Sequence, residues 1–238
     1  MKKDVNKRDY FVSCILAAGG KGNRMESSIN KLFMEIDGVP VIARTLIALN
    51  KSSFIDEIIV STLEENILDI KNIAEAFSIN KLKSVIKGGS ERAFSVKKAI
   101  CEISDECDFV AVHDGARPLV DEETIKNAVL GAQKFGAAAC GVRPKSTLKR
   151  EGKDGFIRET VDRSEIFEIQ TPQVFKKDLF EKAYDADSEV LNKATDDCSL
   201  IEQLGVKIKI TDGSYSNIKI TTKEDIAIAE GIIREFEI

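Results

Sequence analysis

Short runs of β-branched and other apolar residues alternate along the chain with longer stretches whose apolar positions recur at helical spacing. The last of these stretches, residues 223–235, has Ile226, Ala229 and Ile233 on one helical face. Strand-length runs that alternate with helices are typical of a mostly parallel sheet covered by helices. The pattern therefore predicts a single Rossmann-like α/β domain.

The predicted elements follow from this alternation, and the residues before the first strand, Met1 to Asp9, are predicted to be a flexible tail to a domain over residues 10–238. The predicted strands are Phe11–Ala17, Glu57–Thr62, Ser84–Ile86, Phe109–His113, Ala137–Val142, Lys207–Thr211 and Asn217–Thr221. The predicted helices are Val41–Asn50, Glu64–Phe77, Ala93–Ile103, Glu122–Lys134, Lys177–Ala186, Asp197–Leu204 and Lys223–Glu235.

One segment, residues 146–163, interrupts the alternation. Two short β-compatible runs flank Asp154-Gly155, a dipeptide that favours a tight hairpin turn. The segment is rich in charge, so we expect the hairpin to project from the domain as an arm. Such an arm can serve a dimer or can be a solvated flap, and the residues alone leave both open.

The composition of the chain disfavours several classes of protein and of site. The net charge of −5 disfavours a general nucleic-acid binder, which needs a basic face. No apolar stretch reaches the roughly 18 residues that span a bilayer, and the apolar start of the chain leads into a glycine-rich loop, as a first strand would. Five cysteines without a CxxC pair and a single histidine, His113, disfavour structural zinc and a disulfide framework. We expect buried or partly buried free thiols and a cytoplasmic protein.

The loop after the first predicted strand is the strongest local signal. Gly19, Gly20 and Gly22 allow backbone N–H groups to approach an anion closely. The loop matches neither GxxxxGK[ST] nor GxGxxG, which disfavours a P-loop NTPase and a dinucleotide dehydrogenase. Arg24 and Lys31 follow it and supply two cations suited to phosphate oxygens. The residues predict a phosphate site.

The loop and a series of later motifs together resemble the 2-C-methyl-D-erythritol 4-phosphate cytidylyltransferase family. The motifs occur in family order and cover nearly the whole chain from Cys14 onward. They are Ala18-Gly19-Gly20-Lys21-Gly22-Asn23-Arg24-Met25, Asn30-Lys31, Gly88-Gly89-Ser90-Glu91-Arg92 with Ser95, Val112 to Pro118, Thr147 to Arg150, Thr160 to Arg163, Gln170 to Gln173, Thr195-Asp196-Asp197 and Asn217-Ile218-Lys219.

The resemblance implies a cytidylyl transfer from CTP to the sugar-alcohol phosphate, with release of pyrophosphate, in the non-mevalonate route to isoprenoids. It implies that Arg24 and Lys31 stabilise charge on the α-phosphate, and that Arg163 and Lys219 orient the attacking phosphate. The implied CTP-binding residues are Ala18, Gly19, Gly20, Gly22, Arg24, Lys31, Gly88, Gly89, Ser90, Ser95, Asp114 and Gly115. The implied acceptor-binding residues are Arg117, Thr147, Arg163, Thr195 and Lys219.

Asp114 follows an apolar strand, where ligands of open α/β folds bind, and is the candidate ligand of Mg²⁺. Asp212 is a weaker candidate for a second carboxylate. His113 should point to the opposite face of the strand, and we expect a structural, hydrogen-bonded histidine rather than a general base, because a phosphate monoester is already an anionic nucleophile. Ser90 is the expected N-cap of the helix that follows it.

The resemblance also implies a homodimer, in which Thr147 and Arg163 reach the neighbouring subunit's site. Two alternatives stay open. The Gly-Gly-Lys-Gly form of the loop is similar to ribitol-5-phosphate cytidylyltransferases, although the later motifs are closer to the methylerythritol enzymes. A nucleotide-binding regulator without turnover is disfavoured by the intact set of cations.

Overall fold

The computed structural model describes residues 8–19 and 30–236. In these ranges the centre of the fold is a seven-stranded sheet of order β11-β7-β10-β6-β1-β4-β5, in which β10 alone runs antiparallel to its neighbours. Two further strand pairs, β2 with β3 and β8 with β9, stand apart from it. The strands are β1 Phe11–Ala18, β2 Glu35–Ile36, β3 Val39–Pro40, β4 Glu57–Thr62, β5 Leu82–Lys87, β6 Cys107–Asp114, β7 Ala137–Val142, β8 Leu148–Glu151, β9 Ile157–Val161, β10 Glu168–Lys176 and β11 Lys209–Asp212.

Helices cover both faces of the sheet. One apolar cluster joins the sheet to α1, α2, α4 and α8, and a second joins its opposite face to α3, α5, α6 and α7. The helices are α1 Val41–Lys51, α2 Ile67–Ala76, α3 Arg92–Ile100, α4 Glu122–Phe135, α5 Lys177–Tyr184, α6 Ser188–Lys193, α7 Asp197–Gln203 and α8 Glu224–Phe236. Short 3-10 helices lie at Lys31–Phe33, Glu64–Asn66 and Arg163–Glu165. The predicted α/β architecture is confirmed.

The central strands are apolar on both sides because helices lie on both faces. Parallel pairing of β1 with β4 and β6, and of β4 with β5, aligns the carboxyl ends of these four strands at one edge. Strand β4 lies on one side of β1, and β6, which comes later in the chain, lies on the other side of β1. A crevice at such a reversal is where open α/β sheets bind ligands.

One predicted strand is not observed, and several observed elements were not predicted. Asn217–Thr221 is not a strand; the backbone N–H of Ile220 donates to the carbonyl of Ala116, and the buried side chain of Ile220 joins the apolar core. The interior strand β10 was not predicted, because Pro172 and several polar residues interrupt its apolar pattern. These polar side chains are buried against hydrogen-bonding partners, which a pattern of hydrophobicity does not reveal. Helix α6 was also missed.

The predicted hairpin forms: β8 and β9 pair antiparallel, with Leu148 opposite Val161, and Gly155 adopts a positive φ of 80° in the turn. Residues Phe156 and Ile157 near its tip are 73% and 69% exposed. The hairpin connects β7 to β10, which are themselves neighbours in the sheet. We call residues 146–163 the arm.

The remaining expectations concern cysteines, membranes and the amino terminus. All five cysteines are free; four are buried, whereas Cys101 is exposed, contrary to expectation. None of the helices in the described ranges is long and apolar enough to cross a bilayer. Arg8, at the end of the predicted tail, pairs with Asp56 at 2.7 Å, and the residues before it lie outside the described ranges.

Candidate active site

The carboxyl ends of β1, β4, β5 and β6 border a cavity of about 920 Å³, the volume of a nucleotide-sized ligand site. Below it is called the nucleotide cavity. It is lined by Ala17, Gly19, Thr62, Leu63, Glu64, Glu65, Lys87, Gly88, Gly89, Ser90, Glu91, Arg92, Ser95, Lys98 and Asp114. Seven residues of the quoted motifs thus lie together at the carboxyl edge of the sheet. Six of them follow β5 and the seventh ends β6: Gly88, Gly89, Ser90, Glu91, Arg92, Ser95 and Asp114.

The turn between β5 and α3 is packed too closely for side chains at its two glycines. A Cβ at Gly89 would lie 2.4 Å from Cβ of Phe94, and one at Gly88 would lie 2.7 Å from Oγ of Ser95. Ser95 fixes the turn, since its hydroxyl accepts from the N–H of Gly89 at 3.0 Å and donates to the carbonyl of Glu91. The result is a rigid wall made of backbone, which can recognise a flat base by its edges.

The expected cap of α3 was wrong. The N-cap is Glu91, whose side chain makes no capping hydrogen bond, and Ser90 lies one residue earlier and is exposed. Ser90 nevertheless lines the nucleotide cavity, as predicted for a ligand-binding residue.

Asp114, at the end of β6, lies among three cations. Nζ of Lys219 lies 2.8 Å from Oδ2, Nε of Arg117 lies 3.5 Å from the same oxygen, and Nε of Arg92 lies 3.5 Å from Oδ1. Arg117 is held from behind by the carbonyl of Asn217 at 2.7 Å. Lys219 and Asp114, to which the sequence analysis assigned different roles, thus lie in contact, and the segment that carries Lys219 is not a strand.

This arrangement keeps Asp114 ionised. Burial by itself would raise the pKa of the carboxyl group, but the charges of Lys219, Arg92 and Arg117 hold it well below its usual range. Three cations around Asp114, of which Arg92 is shared with Asp197, leave positive charge beside the nucleotide cavity. Such a surface attracts anions in spite of the negative net charge of the whole chain.

His113 is fully buried on the opposite side of β6 from Asp114. Its Nδ1 lies 3.0 Å from Oγ1 of Thr171 and its Nε2 lies 3.2 Å from the carbonyl oxygen of Arg117. Burial lowers its pKa to about 4, so the ring is neutral near pH 7. The expected structural role of His113 is confirmed by this geometry.

The structure describes only part of the glycine-rich loop that follows β1. Ala18 ends β1 and Gly19 lines the nucleotide cavity, whereas Gly20, Gly22 and Arg24 lie outside the described residues. Lys31 begins a 3-10 helix whose N-cap, Asn30, accepts a hydrogen bond from the N–H of Leu32 at 3.1 Å.

Gly115 supports the cavity from beneath and is not part of its lining. Its N–H donates to the carbonyl of Ala17 at 2.9 Å, and its own carbonyl accepts from Oγ1 of Thr45 at 3.0 Å. The predicted direct contact of Gly115 with CTP therefore has no support from the cavity lining, and its observed role is to hold the end of β1.

The other predicted acceptor residues make no hydrogen bond or ion pair with Asp114 in the described ranges. Thr147 is exposed at the root of the arm, and Thr195 is exposed just before α7. Arg163 donates to the carbonyl of Lys145 at 2.7 Å and lines a separate cavity of about 610 Å³ together with Asp162. The lining of this second cavity shares no residue with that of the nucleotide cavity. Lys219 lines neither cavity, and in the described ranges no hydrogen bond or ion pair joins it to Arg163.

Metal ligands are sparse in the described ranges, where no group of three or more His, Cys, Asp or Glu side chains could hold a metal ion. Asp212 ends β11, which two strands separate from β6, so it does not join Asp114. A single carboxylate still fits Mg²⁺ bound to a nucleotide, because phosphate oxygens and water supply most of its ligands. Asp114 is the candidate carboxylate, with Lys219 at 2.8 Å from Oδ2 and Arg92 at 3.5 Å from Oδ1.

Comparison with known proteins decides the family. The sequence model described as IspD, 2-C-methyl-D-erythritol 4-phosphate cytidylyltransferase, matches residues 12–235. This chain belongs to that family. A relative of the same name from Caldanaerobacter subterraneus subsp. tengcongensis is 43% identical over 225 residues, 94% of this chain and 99% of the relative. Another, from Clostridium acetobutylicum, is 42% identical and covers 93% of this chain and 96% of its own.

Solved structures agree. The 4-diphosphocytidyl-2C-methyl-D-erythritol synthase of Anaerococcus prevotii superposes with a TM-score of 0.82 at 31% identity, over 94% of this chain and 99% of that one. The Thermus thermophilus cytidylyltransferase superposes with a TM-score of 0.76 at 25% identity, over 94% and 99% of the two chains. The family resemblance predicted from the motifs is therefore confirmed, and with it the class of enzyme.

Some family motifs turn out to contribute residues to which sequence reasoning assigned no role. Arg92 lines the nucleotide cavity and donates to Asp197 at 2.6 Å, and Thr171 accepts the backbone N–H of Asp114 at 3.0 Å. Asn217 donates to the carbonyl of Thr171 at 2.9 Å. The signal was present, because each residue belongs to a recognised motif, but the partner of each lies far away in sequence.

Proposed function

We propose that this protein transfers the cytidylyl group of CTP to 2-C-methyl-D-erythritol 4-phosphate, giving 4-diphosphocytidyl-2-C-methyl-D-erythritol and pyrophosphate. The observation that carries the proposal is the set of three cations around Asp114, a residue that lines a nucleotide-sized cavity. Both substrates are anionic phosphates, and this wall suits them. The products belong to the non-mevalonate route to isoprenoids.

The cytosine and ribose lie, in this proposal, against the turn formed by Gly88 and Gly89. Its backbone groups can pair with the edge of a pyrimidine, and the hydroxyl of Ser95 keeps them in place. The triphosphate extends from there toward the glycine loop after β1, where Arg24 and Lys31 stabilise charge on the α-phosphate. Charge stabilisation and positioning are the main contributions to this kind of transfer.

The reaction is a substitution at phosphorus. An oxygen of the acceptor phosphate attacks the α-phosphorus, a new P–O bond forms, and the bond to the bridging oxygen breaks as pyrophosphate leaves with its electron pair. No general base is required, because the attacking phosphate is already anionic. His113 accordingly takes no part, since it is buried and both ring nitrogens are engaged. Lys219 and Arg117 hold the acceptor phosphate beside Asp114.

Mg²⁺ is the cofactor that we propose, with Asp114 as its protein ligand. When bound, such an ion would neutralise charge on the triphosphate. The protein's own contribution is to keep the Asp114 carboxyl ionised by means of its cationic neighbours.

Pyrophosphate release tests the proposed reaction. The purified protein is incubated with CTP and Mg²⁺ and, in parallel, with 2-C-methyl-D-erythritol 4-phosphate, ribitol 5-phosphate or no acceptor. We expect rapid release with the first acceptor only, and slow release when UTP or ATP replaces CTP. Preference for ribitol 5-phosphate would reassign the acceptor, and CTP binding without release would indicate a regulator.

We further propose a homodimer in which the arm completes the site of its neighbour. Thr147 and Arg163 are exposed on the arm, and Arg163 lines a cavity that shares no residue with the nucleotide cavity lined by Asp114. The exposed apolar tip, Phe156 and Ile157, lacks packing partners among the described residues, as expected for a surface that meets a second subunit. Two-fold symmetry would make the exchange of arms reciprocal.

Complementation tests the shared site. Arg163→Ala and Lys31→Ala are each expected to be nearly inactive. If arms are exchanged, mixed dimers contain one site with both residues intact, so an equal mixture should recover about a quarter of wild-type activity after subunit exchange. Lack of recovery, with exchange demonstrated by differently tagged subunits, would show that the arm serves its own chain.

The free thiols support a reducing cytoplasm as the location that we propose.

A further inference from the structure

The side chain of Arg92 joins two buried carboxylates from different parts of the fold. Its Nη2 donates to Oδ2 of Asp197 at 2.6 Å, and its Nε lies 3.5 Å from Oδ1 of Asp114. The other oxygen of Asp197 accepts a hydrogen bond from the hydroxyl of Tyr184 at 2.5 Å. Arg92 begins α3, Asp197 begins α7 and Tyr184 ends α5, so three helices meet through this chain of contacts.

Burial makes this chain of contacts rigid. Asp197 is fully buried and Tyr184 is 2% exposed, and an ionised carboxylate without partners would be very costly there. Burial by itself lowers the pKa of Arg92, but the charges of Asp197 and Asp114 raise it. Burial, followed by the charge of Asp197, raises the pKa of Tyr184, so its hydroxyl remains a donor. The orientation of the guanidinium is therefore fixed from behind.

The guanidinium of Arg92 also faces the nucleotide cavity. Its side chain is 30% exposed and lines that cavity beside Gly89 and Asp114. Within the described ranges its Nη1 makes no hydrogen bond or ion pair, although Nε and Nη2 are engaged. A guanidinium held by two of its nitrogens presents the third in a defined direction, which suits a phosphate oxygen.

We propose that Arg92 binds the triphosphate of CTP, and that Asp197 and Tyr184 are positioning residues that orient it. The inference rests on the proposed function and extends it to residues of α5 and α7. Neither positioning residue touches the substrate. Their effect is transmitted through Arg92 alone.

The first test is Asp197→Asn, with KM for CTP from pyrophosphate release and Kd for CTP from calorimetry without acceptor. We expect both to rise about tenfold, because a charge-assisted hydrogen bond that fixes Arg92 is weakened, whereas kcat changes much less. Thermal unfolding is measured in parallel.

Glu57→Gln is the matched control. Glu57 is also a buried carboxylate, 6% exposed, and accepts hydrogen bonds from Ser13 and Ser104 at the opposite end of the sheet. Both substitutions exchange a buried carboxylate for an amide and should lower Tm. Only Asp197→Asn should raise KM and Kd for CTP. If both variants lose stability and neither changes CTP binding, Asp197 has a purely structural role and the inference is wrong.

Two more variants make the result decisive. Tyr184→Phe removes one hydroxyl only, is expected to fold even if Asp197→Asn does not, and should raise KM for CTP about threefold. The double variant Arg92→Gln/Asp197→Asn should bind CTP no worse than Arg92→Gln, because Asp197 acts only through Arg92. If the losses of CTP binding in Arg92→Gln and Asp197→Asn add in the double variant, the inference is wrong. If Asp197→Asn does not fold, an unchanged KM for CTP in Tyr184→Phe would overturn the inference. Absence of wild-type pyrophosphate release would refute the proposed function instead, while the Kd comparison still decides the role of Asp197.

Discussion

Each end of the central sheet buries a carboxylate, and the two are satisfied in different ways. Glu57, at the start of β4, accepts hydrogen bonds from Oγ of Ser13 at 2.6 Å and from N–H and Oγ of Ser104 at 2.8 and 2.6 Å. Its one cationic partner in the described ranges, Lys83, lies 3.3 Å away. Asp114, at the end of β6, instead meets three cations within 3.5 Å.

The pKa of both carboxyl groups is lowered, but by different means. Burial raises the pKa of Glu57, and hydrogen bonds from Ser104 and Ser13 outweigh that effect. At Asp114 burial is outweighed by the charges of Lys219 and Arg92. Most donors to Glu57 are neutral, whereas three cations are shared between Asp114 and Asp197, and the remaining positive charge can attract another anion. From this comparison we expect the first end to be structural and the second to bind substrate.

The largest expected difference between the two ends is in the effect of removing a lysine. Lys219→Ala removes the cation nearest to Asp114 and should lower kcat about 10²–10³-fold, because charge stabilisation at the reacting phosphates is lost. Lys83→Ala removes the cation beside Glu57 and should leave kcat unchanged. Initial rates of pyrophosphate release at saturating substrates measure both, and equal rates for the two variants would contradict the comparison.

The two ends of the sheet should also lose their contributions to stability in different pH ranges. His113 is buried neutral beside Asp114 with a pKa of about 4, below the roughly 6.5 of an unfolded histidine. The unfolded chain therefore binds more protons, so stability falls as the pH drops from 6.5 toward 4, by about 2 kcal/mol between pH 7 and pH 5. The contribution of Glu57, whose pKa is lowered, is lost only below the roughly 4.3 of an unfolded glutamate.

Urea unfolding at pH 7 and pH 5 measures this effect. Because the chain has one histidine, His113→Gln should remove most of the change in unfolding free energy between these pH values, while Glu57→Gln should retain it. A full pH effect in His113→Gln would mean that another group is responsible.

The smallest expected effect concerns the backbone of the functional end. Gly89→Ala would place a Cβ 2.4 Å from Cβ of Phe94, so the turn must shift, and KM for CTP should rise about tenfold. Gly231→Ala is the control, because a Cβ there meets nothing within 4 Å and α8 should gain about 0.5–1 kcal/mol. If Gly89→Ala binds CTP normally, the rigid turn does not recognise the base.

The sequence predicts those parts of the fold in which a segment's own pattern determines its structure. Strands β4 and β7 have the predicted bounds, since parallel interior strands are apolar on both faces. Strand β10 was not predicted, because buried Thr171 and Gln173 are satisfied by His113 and Asp196 from other elements. No local window contains those partners.

The same distinction applies to the site. Asp114 was predicted because it follows an apolar strand, and Gly88 and Gly89 because they form a recognisable motif. Arg92 and Asp197 were both within quoted motifs, yet they are 105 positions apart, and only the fold shows that they form an ion pair. Contacts between distant segments are determined by packing, which residue spacing does not encode.

The arm occupies a connection between β7 and β10, two strands that pair with each other in the sheet interior. The pairing of Ala137 with Phe175 and of Val142 with Glu168 joins the two strands with or without the intervening segment. We therefore expect insertions, deletions or exchanges between residues 146 and 163 to leave the fold of the remaining protein intact. Evolution can alter what the arm contacts independently of the core, and chimaeras that exchange arms between relatives can exploit the same separation.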